Sequence, residues 1–344
     1  MRFGLIFTIQ SPERWARPLT ELYAATLEHA ELAEELGYTY ALVGEHHFLP
    51  DSFCPQPLTV CAAIAARTRT LRVGTSVYLV PLHHPLELAE QAAVIDVLSG
   101  GRLVLGLGLG YRPEEFEGFG VKRTQRGKLM DAAIERLLAA FDPDSEVTPH
   151  PVQRPHPPIW LAATSRPGIE RAARLGLTPF YAVAPTPVIE RQQRVYAELC
   201  AQQGRTPDSA VPIVRETFVA ETTDEAWEIA GEHLMHTYRH DYRAWSTRTT
   251  GVDTGVIVAE ADGSLRVARD YDDEVFERRR FAQDRLLIGS PDDVIAALRD
   301  LEERIGATDV LCRMHHPGLP DDAARRSMEL LAREVMPAFA GAPA

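Results

Sequence analysis

A chain of 344 residues, 45% hydrophobic and 25% charged, suits one large α/β barrel or two ordinary domains, and its 23 Gly and 25 Pro exclude a collagenous or low-complexity protein. Its 36 Lys and Arg against 49 Asp and Glu leave a formal charge of −13, which repels nucleic acid and anionic membrane over most of the surface, so any phosphate site must be local. Cys54, Cys61, Cys200 and Cys312 fit neither a zinc spacing nor a disulfide framework, no apolar h-region follows Met1 and no run reaches spanning length, so buried thiols and a cytoplasmic protein with no membrane or nucleic-acid partner are expected.

In chain order, strand-like runs fall at Phe3 to Ile9, Tyr40 to Gly44, Leu71 to Val80, Leu103 to Leu109, Ile159 to Ala163, Phe180 to Val183, Val211 to Ala220 and Thr308 to Arg313. Between them lie stretches of helical period with recognisable ends. Leu19 to Leu36 stops at Gly37, Pro85 opens a helix that stops at Ser99-Gly100-Gly101, Pro187 to Gln203 stops at Gly204, and Pro291 to Ile305 stops at Gly306. Thr223 to Tyr238 opens on a Thr-x-x-Glu-like cap. Strands alternating with helices, undivided by a polar linker, predict a single α/β domain over residues 1–344, a (β/α)8 TIM barrel. Residues 241–284, rich in charge and lacking apolar period, read as an inserted lid.

Barrel enzymes build their sites where strands end. The second strand ends in Glu45-His46-His47-Phe48. Adjacent strand residues point to opposite sides, so one imidazole of this pair faces a common site unless the strand has broken. The His pairs 46/47, 83/84 and 315/316 lack ligand spacing, and no metal is expected. The fourth strand carries Gly106, Gly108 and Gly110 in alternation, inside a strand and not opening a helix, so a dinucleotide fingerprint is a poor fit. Small residues there and at Gly74 to Ser76 would admit a flat ring, or simply fit a tight barrel layer. Thr164 and Ser165, before a helix, read as an anion site or as an ordinary cap. Arg126 reads as a surface charge or a phosphate contact.

Together, RFGLIF, EHHF, VGTSVYLVPLHHPLELAEQAAVIDVLSGGR, LGLGLGYRPEEFEGFG, RPHPPIWLAATS and LLAREVMPAF resemble the bacterial luciferase-like flavin monooxygenases over nearly the whole chain. The resemblance implies a barrel, commonly dimeric, that binds reduced FMN or, in a sister branch, a deazaflavin coenzyme. It implies a small organic substrate, O2 and a separate flavin reductase, and by this resemblance His46 is the active-site histidine, supported by Glu45 and His47. It also places Ser76 and Val77, next to Thr75, at a non-prolyl cis peptide beneath the isoalloxazine ring. Gly108 and Gly110, with Tyr111, match the fourth-strand wall, Arg126 a phosphate contact, and Thr164 with Ser165 the phosphate loop. Gly108 and Leu109 stand where the luciferase subunit has cysteine and arginine, so light emission from a long-chain aldehyde is not implied.

Overall fold

A computed structural model describes residues 1–163, 165–181, 184–238 and 285–340, together with the backbone of two strands at 256–259 and 265–268. The chain forms two compact units, one of Gly4–Ala162 and one of Met1–Phe3 with Ala163–Ala344. Both are α/β, with parallel strands and interleaved helices. Among the described residues no helix is long and apolar enough to cross a membrane.

The Gly4–Ala162 unit runs β1 (Arg2–Phe7), α1 (Leu19–Glu35), β2 (Tyr40–Val43), α2 (Pro57–Arg67), β3 (Arg72–Thr75), β4 (Tyr78–Leu79), α3 (Pro85–Ser99), β5 (Leu103–Gly108), α4 (Pro113–Gly118), α5 (Arg126–Phe141) and β6 (Ile159–Ala162). Its strands lie in the order β1-β2-β3-β5-β6, with β4 beside β5. The registers Gly4↔Tyr40, Tyr40↔Arg72, Val73↔Leu103 and Leu105↔Ile159 are all parallel. β2 and β5 are buried along their whole length, as expected of parallel strands covered on both faces. The third run, expected to be continuous to Val80, is two strands: β3 ends at Thr75, Ser76-Val77 intervenes and β4 follows.

Pro at the first positions starts α2, α3 and α4, where its missing N–H costs no helical bond. Gly100, at φ 70°, ends α3 in a left-handed cap. Next to it the Arg102 guanidinium donates to the carbonyls of Ala65, Thr68, Leu71 and Ser99, so one side chain satisfies carbonyls around the end of α2 and binds it to α3. Asp96, fully buried, accepts from the Leu103 and Gln153 backbone N–H groups and locks the start of β5.

In the second unit, α6 (Arg166–Leu175), β7 (Thr178–Phe180), α7 (Thr186–Gln202), β8 (Pro212–Val219), α8 (Thr223–His236), β11 (Leu286–Gly289), α9 (Pro291–Ile305), β12 (Asp309–Arg313) and α10 (Asp321–Leu330) follow one another. An antiparallel pair, β9 (Val256–Ala259) and β10 (Leu265–Ala268), lies between α8 and β11. Fully buried β8 pairs with β12 over its first half and with β11 over its second. Helix caps fall at Thr222, whose hydroxyl accepts from the Glu225 N–H, and at Ser290, which accepts from the Asp293 N–H. β11 has no counterpart among the expected strands. The expected run Phe180 to Val183 begins earlier, at Thr178; Tyr181 bridges Ile213, and Ala182 and Val183 lie outside the described residues. The lid expected over 241–284 also lies outside them, apart from β9 and β10.

Candidate active site

β2 ends at Val43, and the next four residues leave the sheet. The Gly44 N–H still donates to the Phe7 carbonyl, whereas Phe48 already has φ 56°. Over this irregular stretch the two imidazoles of His46 and His47 go to different partners. His46 Nδ1 lies 2.8 Å from Glu115 Oε1, and His47 Nε2 lies 2.7 Å from Glu45 Oε1.

Glu45 is the hub of an enclosed group. Its Oε1 also meets His83 Nε2 at 2.6 Å, and its Oε2 accepts from the Leu79 N–H at 2.9 Å. Burial alone would raise this carboxyl, yet the bonds from His47, His83 and Leu79 hold it below the ordinary carboxylate range. Glu45, His47 and His83 bring three donor atoms within 4.8 Å of one another, a set able to grip a cation; here they bond to one another.

Glu115, in the first turn of α4, is the hub of the other group. Its Oε1 accepts from His46 Nδ1, from the His47 backbone N–H at 3.0 Å and from Arg112 Nη1 at 3.1 Å. Burial opposes its ionisation, but the His46 bond and charge, the His47 N–H and Arg112 lower it below the ordinary range. Arg112 Nη1 also donates to the His47 carbonyl at 2.7 Å. On its other side His46 Nε2 lies 3.3 Å from the Tyr111 hydroxyl, and its ring meets Phe53 edge-on. Gly110, at φ 71°, turns the chain from β5 into Tyr111 and Arg112, and a side chain there would press on the Phe116 ring.

The peptide between Ser76 and Val77 is cis. The Ser76 N–H donates to the Val43 carbonyl, beside the start of the histidine stretch. Val77 packs with Leu79, Leu82 and Phe116. The glycines divide between two needs. A Cβ on Gly74 would lie 1.9 Å from the Val104 carbonyl oxygen and one on Gly106 2.0 Å from that of Thr75, so both serve the close approach of β3 and β5. On Gly108 it would strike Val77. The buried Thr75 hydroxyl donates to the Gly106 carbonyl and ties the same two strands.

Arg126 opens α5, and its Nη1 donates to the Arg123 carbonyl. Its Nε is buried and has no hydrogen-bond partner among the described residues, and burial followed by the nearby Arg123 charge lowers its affinity for its own proton. Two arginines meet at a helix N-terminus whose first turn holds no acidic residue, the end where the helix dipole opposes cations and favours anions. Ser165, exposed, precedes α6 in the second unit with no side-chain cap bond, and Thr164 lies outside the described residues.

Glu45, His46, His47, Ser76, Val77, Gly108, Gly110 and Tyr111 therefore all lie within one unit, with His46 and Tyr111 in contact. Glu115, Arg112 and His83 were not anticipated as partners. In the sequence Glu115 is one of two acidic residues in the first turn of a short helix, an ordinary surface signal. Only its burial and its distance from His46 distinguish it.

A family described as luciferase-like monooxygenase matches residues 1–309. The oxygenase component of the flavin-dependent trigonelline monooxygenase of Acinetobacter baylyi is 26% identical over 98% of this chain and 96% of its own. The crystal structure of the monooxygenase RslO1 from Streptomyces bottropensis has a TM-score of 0.80 at 25% identity, covering 99% of this chain and 100% of that one. The oxygenating constituent of 3,6-diketocamphane monooxygenase from Pseudomonas putida, a type II Baeyer-Villiger monooxygenase in complex with FMN, has the same fold, with TM-score 0.78 at 21% identity over 98% of both chains.

Proposed function

The chain belongs to the luciferase-like monooxygenase family and is an oxidoreductase, and from that premise we propose that it uses reduced FMN and O2 to oxygenate a small organic substrate on one (β/α)8 barrel, with the flavin supplied by a separate reductase. The observation that carries this reading is His46: a buried carboxylate anchors one ring nitrogen, and the other is directed to Tyr111. An imidazole titrates in the range that proton transfer near neutrality requires.

The residues present fit FMN. The buried Arg126 Nε, which meets no hydrogen-bond partner among the described residues, with Arg123 beside it at a helix N-terminus, offers charge and a donor for a phosphate. Thr75 to Val77, Gly108, Gly110 and Tyr111 would bed the ring. Bound reduced FMN supplies the electrons that activate O2. His46 holds or accepts a proton at Nε2, and Glu45, through His47 and His83, keeps the histidine stretch in place.

A second copy of the chain is the proposed partner in a homodimer. Val94, Val97 and Leu98 are 42%, 47% and 63% exposed on one face of α3, where i, i+3 and i+4 spacing makes an apolar stripe. A single-chain mass by light scattering at working concentration would remove this proposal. All four cysteines are free and buried, which suits the cytoplasm.

Anaerobic titration with reduced FMN, reduced riboflavin and reduced deazaflavin coenzyme tests the cofactor. Reduced FMN should bind, and Arg126→Ala should weaken it at least about tenfold while leaving riboflavin within about twofold, since one charge-assisted phosphate bond accounts for about 1.4 kcal/mol or more. Equal losses for both flavins would remove Arg126 from the phosphate site. Preference for the deazaflavin coenzyme would overturn the FMN reading.

A further inference from the structure

The two adjacent histidines differ in a way that hydrogen-bond chemistry makes definite. Glu115 is fully buried and all three donors it meets converge on Oε1. Its carboxyl is held ionised against burial by those donors. An ionised carboxylate only accepts, so the hydrogen on the His46–Glu115 bond belongs to His46 Nδ1. In the neutral ring the lone pair is then on Nε2, the nitrogen 3.3 Å from the Tyr111 hydroxyl, and Tyr111 donates to it. The same logic gives His47 the opposite form, because its Nε2 faces the ionised Glu45.

We propose that Glu115 is a positioning residue that fixes His46 as a proton acceptor at Nε2, and that the Tyr111 hydroxyl is the outer end of a proton path running from Tyr111 to His46. The proposal deepens the oxygenase reading above and rests on it for its functional meaning. Arg112 makes the arrangement one-sided. It bonds both Glu115 Oε1 and the His47 carbonyl, so the carboxylate and the peptide after His47 are held together. Tyr111 and His46 are both half-buried, whereas Glu115 is fully buried.

The step conserves protons. A molecule in the site gives a proton to the Tyr111 oxygen as Tyr111 passes its own to His46 Nε2. The ring becomes an imidazolium with hydrogen on both nitrogens, Tyr111 is restored, and the Glu115–His46 pair goes from a net charge of −1 to zero. The ionised carboxylate stabilises that cation where solvent is excluded. Return of the proton along the same path resets the pair, with no heavy-atom bond made or broken.

Ring-nitrogen NMR of the uniformly 15N-labelled full chain, at a pH where the imidazoles are neutral, tests this without flavin or substrate; a His46→Gln spectrum identifies the His46 signals and a His47→Gln spectrum those of His47. The expected result is His46 carrying hydrogen on Nδ1 and His47 on Nε2. Glu115→Met, similar in volume but with no acceptor, should move most of the His46 population to the Nε2–H form, and Glu115→Asp should keep or partly restore Nδ1–H. His46 in the Nε2–H form in the unaltered protein overturns the proposal whether or not Glu115→Met folds, and so does a folded Glu115→Met with unchanged His46 signals. In a second measurement, O2 reoxidation of bound reduced FMN should change at least fivefold in Glu115→Met, in the same direction as in His46→Gln, and Tyr111→Phe should do likewise with the His46 tautomer intact. An unchanged rate in both variants removes the proton path. Failure to bind reduced FMN would sink the oxygenase reading instead, leaving the tautomer result standing.

Discussion

His46 and His47 are neighbours in the chain, each bound to a buried glutamate, yet the two corners they occupy are built for different ends. Around Glu45, both carboxylate oxygens have donors, and the imidazole nitrogens that reach it are engaged with it. Around Glu115, one imidazole nitrogen is spent on the carboxylate and the other meets a half-buried phenol. A carboxylate that gathers two histidines and a backbone N–H on both of its oxygens makes a brace; one that anchors one nitrogen of a single histidine, with a phenol against the other, makes a place for chemistry. Residue type and burial are nearly the same in both, so the Tyr111 hydroxyl against His46 Nε2 is what separates them.

The largest effect should come from breaking the brace. Glu45→Leu would strand the N–H donors of His47, His83 and Leu79 in a buried place, and a loss of about 3–5 kcal/mol is expected, because removing one partner of a buried charged group leaves the rest uncompensated. Urea unfolding measures it, and a loss under about 1 kcal/mol would show that Glu45 is not bracing the loop. His46→Ala should cost less stability than that, because the His47 N–H and Arg112 still reach Glu115, and should leave FMN bound. Coupled oxygenation should then fall by about a hundredfold or more, with the oxygen released as hydrogen peroxide. Coupled turnover at the original level would take proton transfer away from His46 and make His47 the next residue to alter.

A smaller, graded effect should appear in acid. Both Glu45 and Glu115 have folded-state values below the ordinary one, which is about 4.3 for a glutamate. Their contribution is therefore fully present above that value and is lost as pH falls through the lower folded values, by up to about 1.4 kcal/mol per pH unit for each carboxyl. Urea midpoints should be insensitive to these groups from pH 7 to 6 and fall below about pH 4.3, with a shallower fall in Glu115→Gln. An equally steep fall in that variant would exclude Glu115 as a source of it.

Much of the order of elements was legible in the chain because it is written in local terms. Gly100 and Gly306 close α3 and α9 at left-handed positions, Pro opens both helices, and the Thr222 hydroxyl caps α8 within three residues of the group it bonds. Apolar runs give parallel strands their burial on both faces, which is why eight of the strands could be counted in advance. The resemblance likewise located the Ser76-Val77 peptide, which is cis. β11 escaped because a run as short as Leu286–Gly289, after a charged stretch, looks like a loop until it finds the edge of β8.

The amino-acid sequence by itself thus determined which residues arrive at the ends of the strands, since periodicity, caps and turns depend on neighbours a few positions apart. Whether a glycine spares a ring or a neighbouring carbonyl was decided only in the folded chain, where Gly74 and Gly106 face the carbonyl oxygens of Val104 and Thr75. So was the division of labour between His46 and His47, for the carboxylate that commits His46 comes from α4, 69 residues further along. A charge buried in a medium of low dielectric acts strongly on whatever lies within about 3 Å of it, and that distance is set by how β2, β5 and α4 pack, which no local pattern in the chain records.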